Sequence, residues 1–388
     1  MSSAKGCLTR DLDGNRYIDL VASLGSVTLG YSERGQSKAI YRQLKKGSIF
    51  SLPSSLEYEV AELLNQVIPS AEKVRFAKNG TDVTSAAVRL ARAYTGKNHI
   101  IACGYHGWQD WYIAGTSKNL GIPEILQNYI HNVEFGNMVS IEDKVNELVG
   151  DVAAIIIEPL NSKLPPDKYL ESLRLFCTKN GIILIFDEVV TGFRVATGGV
   201  QQLYGVVPDL SCFGKGMANG FPISAIVGKS ELMDLMEKVF LSGTFGGDTV
   251  SLTAAKYTIE RYMKEGIAAN LTEKGKKIKE CLEKNLSTSG KQIFSLRGHD
   301  SWLFHNWNLP NGIDFNLVKT FFLQENFKKG LLVLATNNVM NALNSKLIEV
   351  VASTLASTIN QIADNLDNGW LERNLNCEPI KPLFQIRN

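Results

Sequence analysis

The sequence predicts an α/β layered protein on a mostly parallel sheet, followed by a smaller α/β domain. Three observations carry that prediction. First, short apolar runs at residues 74–77, 99–103, 152–157 and 223–227 alternate with segments of helical periodicity, the order that lays strands side by side and parallel. Second, several of these runs end on a turn or a polar residue, as strands do where an α/β sheet presents its ligand edge. Third, the pattern changes after about residue 290 to short strands and then helices near 315–329 and 344–366. A chain of 388 residues is long enough for both parts.

Composition excludes several classes of function. The net charge is +2 and the hydrophobic share 44%, so nothing points to nucleic acid or an acidic membrane surface. No apolar run reaches the roughly 18 residues of a membrane helix, and the opening MSSAKGCLTRDLDG has no secretory core. Six cysteines are scattered without a C-x-x-C pair. That favours a reducing, cytoplasmic setting over zinc or disulfides.

In chain order, Asp13-Gly14 between alternating arms predicts a hairpin. Residues 34–50 read as a basic surface helix, and 56–67 as an amphipathic helix that stops before Pro69. A strand at 74–77 leads through Asn79-Gly80-Thr81 into a helix from Asp82 to Tyr94 that ends before Gly96. A strand, a small polar turn and a helix N-terminus hold phosphate well, because backbone N–H groups there lack partners; an ordinary cap by Thr81 or Gly80 fits the same residues. The strand at 99–103 runs into GYHGWQDWY, whose rings could stack on a planar cofactor or on each other. The strand at 152–157 ends in Glu158-Pro159, and a helix over 170–179 leads through Gly181 into the next strand. A Gly/Thr turn near 241–248 opens a long helix, and 267–285 is charged and helical.

The stretch from Ile182 to Gly228 organises the rest. An apolar strand ends on Asp187, and a later apolar run leads to Lys215 among Gly214, Gly216 and Gly220. Each residue alone also fits a plainer role, Asp187 or Glu188 as a helix cap and Lys215 as a solvated lysine. Together, an acid and a lysine at neighbouring strand ends suit pyridoxal phosphate. That cofactor needs a lysine for its aldehyde and an acid for its ring nitrogen. The glycine pattern at 214–220 is a weak match to a dinucleotide loop, since Pro222 and a strand follow where a helix should open. Gly228-Lys229-Ser230 is no P-loop, for Ile223 stands where that motif needs glycine.

An ordered series of motifs resembles the class III aminotransferases of the fold-type I pyridoxal-phosphate enzymes, most of all the glutamate-1-semialdehyde aminomutase branch. These are DLDGNRYIDL, VRFAKNGTDVTSAAVRLARAYTG, YHGWQD, IIIEPL, FDEVVTGFR, PDLSCFGKGMANGFPISAIVG and SGTFGGDTVSLTAA. The resemblance implies a seven-stranded sheet in a large domain at 46–248, an N-terminal hairpin segment at 1–45 that packs with the small domain, and the small domain itself at 249–388. It implies Lys215 as the Schiff-base lysine and Asp187 as partner of the pyridine nitrogen. Val189 and Tyr105 would flank the ring, with His106 beside it and Glu158 at the same edge. Asn79, which replaces the usual serine, would hold the phosphate with Gly80 and Thr81. Thr244 would reach the cofactor of a second subunit, giving a homodimer with active sites at the subunit interface. Arg194 and Arg297 are candidates to grip a substrate carboxylate.

The departures fall on the substrate side: Trp108 and Trp111 are bulky, LNSKLPP follows Glu158-Pro159, and ATNNVMNAL replaces the usual histidine-containing ending. The resemblance therefore implies an aminotransferase that takes an amine donor such as glutamate and a carbonyl acceptor such as a sugar. The aminomutase, and a non-catalytic binding protein on the same fold, are the alternatives.

Overall fold

The computed structural model describes residues 1–366 and 369–381. Three short strands open the chain, Ser3–Lys5 (β1), Leu8–Arg10 (β2) and Arg16–Asp19 (β3), each antiparallel to the next. Between β2 and β3, Gly14 takes a φ of +90°, open only to a residue without a Cβ. Asp11 closes the turn by accepting the Asn15 backbone N–H at 2.8 Å.

Seven strands then form the main sheet: Lys73–Ala77 (β4), His99–Cys103 (β5), Ile130–Asn132 (β6), Val152–Ile157 (β7), Ile183–Asp187 (β8), Leu210–Phe213 (β9) and Ser224–Gly228 (β10). Their order is β4-β10-β9-β8-β7-β5-β6. Only β10 runs against its neighbours; the remaining ladders are parallel. The connection explains the exception. A parallel return needs a crossover of about a dozen residues or more. The link from Phe213 to Ser224 holds a single helical turn, Lys215–Ala218, so the chain folds straight back.

Every residue of β7 is fully buried, as in a sheet covered on both faces. The Gly80–Thr95 helix covers one of them, placing Val83, Ala87 and Leu90 in one core with Ile100, Ile156, Ile185 and Ile226.

By internal contacts the chain divides into Arg34–Gly266 and a second unit made of Met1–Glu33 with the described residues from Ile267 on. These divisions differ from the limits at 45 and 248 by two helices. The Arg34–Leu44 helix is tied into the larger unit by Gln36, whose buried amide donates to the Ala218 carbonyl and to Thr258 Oγ1, both at 3.0 Å. The Thr249–Glu265 helix is tied there by Tyr262, whose hydroxyl donates to the Phe193 carbonyl.

In the second unit Leu331–Leu332 (the residues completing that sheet) run parallel to β3 in the order β1-β2-β3 and then this short strand. A separate antiparallel sheet joins Phe294–Arg297, Trp302–Trp307 and Thr336–Asn338. The long helices are Ile267–Asn285, Phe315–Lys328 and Ser345–Ala363.

Candidate active site

Because β5, β7, β8 and β9 are mutually parallel, their carboxyl ends share one edge, where such sheets bind ligands. They deliver the 104–108 turn, Glu158, Asp187 and the Gly214-Lys215 bend. The antiparallel β10 brings the carboxyl end of β4, with its 78–81 turn, to the same edge.

Asp187 is 6% exposed. Its Oδ2 lies 2.8 Å from His106 Nδ1, and its Oδ1 accepts the Val189 backbone N–H at 3.2 Å. His106 is itself buried, and its carbonyl accepts from Thr84 Oγ1 at 2.8 Å. The imidazole thus rests on the carboxylate, where the resemblance put it beside a cofactor ring. Since Asp187 accepts, His106 Nδ1 carries the proton of this bond.

Lys215 is half-buried and holds a φ of +38°, a left-handed conformation that is strained for a side chain. Burial lowers its pKa, opposed by the nearby charges of Asp187 and Glu158. Burial also pushes the Glu158 carboxyl up to about 7, with His106 the chief opposing influence. Glu158 Oε2 accepts the Tyr105 backbone N–H at 3.0 Å. That approach needs Gly104: a Cβ there would fall 2.4 Å from the same oxygen, at a φ of +111°.

The turn after β4 is built as an N-cap. Asn79 is the capping residue, rather than the Thr81 or Gly80 that local sequence offers, and Asp82 accepts the Asn79 backbone N–H at 2.8 Å. Thr81 is buried, and its Oγ1 accepts the Trp108 backbone N–H at 3.3 Å, which joins this turn to the 104–108 turn. Ser224 at the start of β10 donates its hydroxyl to the Asn79 carbonyl at 2.8 Å. Val189 lies between two glycines: an added Cβ would sit 2.8 Å from its Cγ1 at Gly80 and 3.6 Å at Gly214.

Gly107 is as tight a joint as Gly104. It has a φ of +106°, and a Cβ would fall 2.4 Å from Thr81 Oγ1. Gly107→Ala is expected to cost about 1–3 kcal/mol of strain. Cofactor retained after desalting, read by its visible absorbance, should fall together with the melting temperature.

The other expected residues are placed as follows. Tyr105 is 51% exposed, its ring meeting Tyr112 edge-on at 5.8 Å. Trp108 is exposed, while Trp111 donates to Ser85 Oγ at 2.9 Å. Thr244 is exposed in the turn before the Thr249–Glu265 helix. Arg194 is fully buried, which lowers its pKa to about 10 and leaves the side chain without solvent exposure. Arg297 is exposed at the end of a strand in the other unit. Thr84 and Ser224 hold the turns together yet carry no local signal in the sequence. Glu188 follows Asp187 directly, and only its burial sets it apart from a cap.

These residues fit pyridoxal phosphate. Two glycines leave Val189 bare as a platform, a carboxylate and a partly desolvated amine flank it, and a 16-residue helix starts beside it at Gly80.

Comparison with known proteins agrees. The model of the aminotransferase class-III family matches residues 1–364. A glutamate-1-semialdehyde 2,1-aminomutase of Geotalea daltonii is 35% identical over 315 residues, covering 76% of this chain and 74% of that protein. A 3-aminobutyryl-CoA aminotransferase of Cloacimonas acidaminovorans is 39% identical over 297 residues, covering 74% and 71%. Among solved structures, an omega-transaminase from Sphaerobacter thermophilus superposes with a TM-score of 0.85 at 23% identity, over 94% of this chain and 91% of its own. The FumI protein of Sphingopyxis sp. MTA144, in its PLP internal aldimine form, gives 0.87 at 25%, over 94% and 89%. With its mostly parallel seven-stranded sheet, the chain belongs to the class III aminotransferases, enzymes that depend on pyridoxal phosphate.

Proposed function

We propose that this enzyme transfers an amino group from an amino-acid donor, glutamate foremost, to a carbonyl acceptor such as a sugar or a semialdehyde. The observation that carries the reading is the strand-end pair of Asp187 and Lys215 with Val189 between the two turns. Pyridoxal phosphate, when bound, supplies the electron sink that lets a substrate α-proton leave. The chain's own residues do the rest. Asp187, fixed by His106 and the Val189 N–H, presents a carboxylate that keeps a proton on the ring nitrogen. Lys215 takes the α-proton at Nζ and returns it, and burial favours the neutral amine this needs. Asn79, Gly80 and Thr81 offer the helix N-terminus to the phosphate. Val189 would pack on one face of the ring and Tyr105 on the other, while Glu158 accepts the Tyr105 backbone N–H.

Transfer between two molecules is favoured over an aminomutase by the bulky Trp108, by LNSKLPP after Glu158-Pro159, and by the aminotransferase named at 39% identity. The aminomutase is the second reading, supported by the relatives at 35%. One assay separates them. Starting from the pyridoxamine-loaded enzyme, steady product is expected only with added amino donor across a panel of acceptors. Sustained conversion of glutamate-1-semialdehyde with no donor present would establish the aminomutase instead.

The chain is further proposed to work as a homodimer. Leu52, Tyr58, Phe240 and Phe245 are 79%, 69%, 82% and 60% exposed, an apolar display of the kind that marks an interface. Their chain neighbours Pro53, Glu57, Leu241, Gly243 and Gly246 line one cleft, and Thr244 follows Gly243 in the chain. Light scattering should give twice 42.8 kDa. Phe240→Glu with Phe245→Glu should shift the mass toward the monomer and lower turnover with it.

A further inference from the structure

Behind the site, the loop from Glu188 to Gln201 is gathered around one carboxylate. Glu188 is fully buried. Its Oε2 accepts the Thr191 hydroxyl at 2.5 Å and the Val200 backbone N–H at 2.9 Å, and its Oε1 accepts the Gln201 backbone N–H at 3.0 Å. The loop backbone closes tightly on it: a Cβ at Gly199, whose φ is +79°, would fall 2.3 Å from Oε2. Gln201 carries the network further. Its Oε1 accepts the Ser70 backbone N–H at 2.9 Å, and its Nε2 donates to Ser211 Oγ of β9 at 3.0 Å. The Glu188 backbone N–H donates to the Cys212 carbonyl of β9 at 2.9 Å. The Glu188 carboxylate thus gathers the loop, while the Glu188 backbone and the Gln201 side chain tie it to β9, the strand that leads to Lys215.

We propose that Glu188 is a positioning residue for the cofactor, holding Val189 against Gly80 and Gly214 by fastening both ends of the 188–201 loop. The chemistry of the cluster requires a carboxylate. All three partners are donors, so only a group that accepts on both oxygens satisfies them. Burial raises this carboxyl to about 7 even though the hydrogen-bond donors pull against it. An amide in its place would turn an NH2 group toward N–H donors and strand one of them. Val189 sits next in the chain, with its Cγ1 against the two glycines. A shift at residue 188 therefore moves the platform under the ring without touching Asp187 or Lys215 chemically.

The proposal rests on pyridoxal phosphate standing over Val189, and the test separates the two ideas. Holoenzyme is moved into cofactor-free buffer and release is followed by loss of protein-bound visible absorbance and circular dichroism. Melting is measured with and without the cofactor. Glu188→Gln should release the cofactor about tenfold faster, on the scale of one lost buried hydrogen bond to a charged group, with an altered dichroic band. Thr191→Val removes one donor while keeping the shape, and should give about threefold; it decides the matter if Glu188→Gln does not fold. A purely structural carboxylate would lower the melting temperature and leave release and dichroism as in wild type. Release within twofold of wild type in the folded variants overturns the proposal. A wild-type protein that captures no pyridoxal phosphate overturns the reading of the site and this proposal with it.

Discussion

Lys215→Ala is expected to lower turnover by more than about four orders of magnitude, because under the proposed function Lys215 is both the covalent anchor and the proton-transfer base. Two readings check it. Borohydride treatment of wild-type holoenzyme should add the cofactor's mass to the peptide containing Lys215, and to no peptide of the variant. The visible band of the wild type should be replaced by that of cofactor held without a covalent link. The sign of the pH dependence follows from burial, which lowers the lysine's pKa. The neutral amine becomes abundant at a lower pH than for an exposed lysine, so the rate of α-proton removal should rise with pH through a midpoint below the ordinary lysine value. Unchanged colour and turnover in the variant would assign the anchor to another residue.

Asp187→Asn is expected to cost about 10²–10³-fold in turnover, the range seen when one charge-stabilising group is removed from an active site. The substitution keeps the size of the side chain and an oxygen for the Val189 N–H. It removes the negative charge that the proposed function sets against the ring nitrogen, and it brings an NH2 group toward the His106 Nδ1–H. The KM for the amino donor should change little, since the proposed function has Asp187 act on the cofactor rather than on the substrate. A loss smaller than tenfold, with an unchanged absorption spectrum, would mean that ring protonation is supplied elsewhere.

Much of this site is legible in the sequence because it is built at strand ends. An all-apolar run closing on one acid, as at Asp187, identifies a buried strand and its terminal residue together. The turn at 79–81 is legible for the same reason, since a strand and a helix of good propensity bracket it. What the sequence hides is depth. His106 lies in a polar, aromatic turn, yet Thr84 and Asp187 hold it beneath the surface. Arg194 looks available in a polar loop, yet the Glu188 cluster and the packing of Phe193 against Tyr262, ring centroids 5.5 Å apart, seal that loop inside. Such placements depend on residues far away in the chain, which no local pattern encodes. The helices at 34–44 and 249–265 show the same limit. Their own periodicity does not reveal that Gln36 and Tyr262 fasten them to the larger unit.

The reversed strand β10 has a consequence for how the enzyme matures. Among the described residues β4 lies at the rim of its sheet and pairs there with β10, which is made only when synthesis reaches Ser224–Gly228. Closing so long a span is entropically slow. A nascent chain lacking those five residues has the 79–81 turn, tied to the 104–108 turn through Thr81, but lacks the strand that seats β4 in the sheet beside the lysine bend. Vitamin capture should therefore begin abruptly, late in assembly, and serve as a reporter that the sheet is finished.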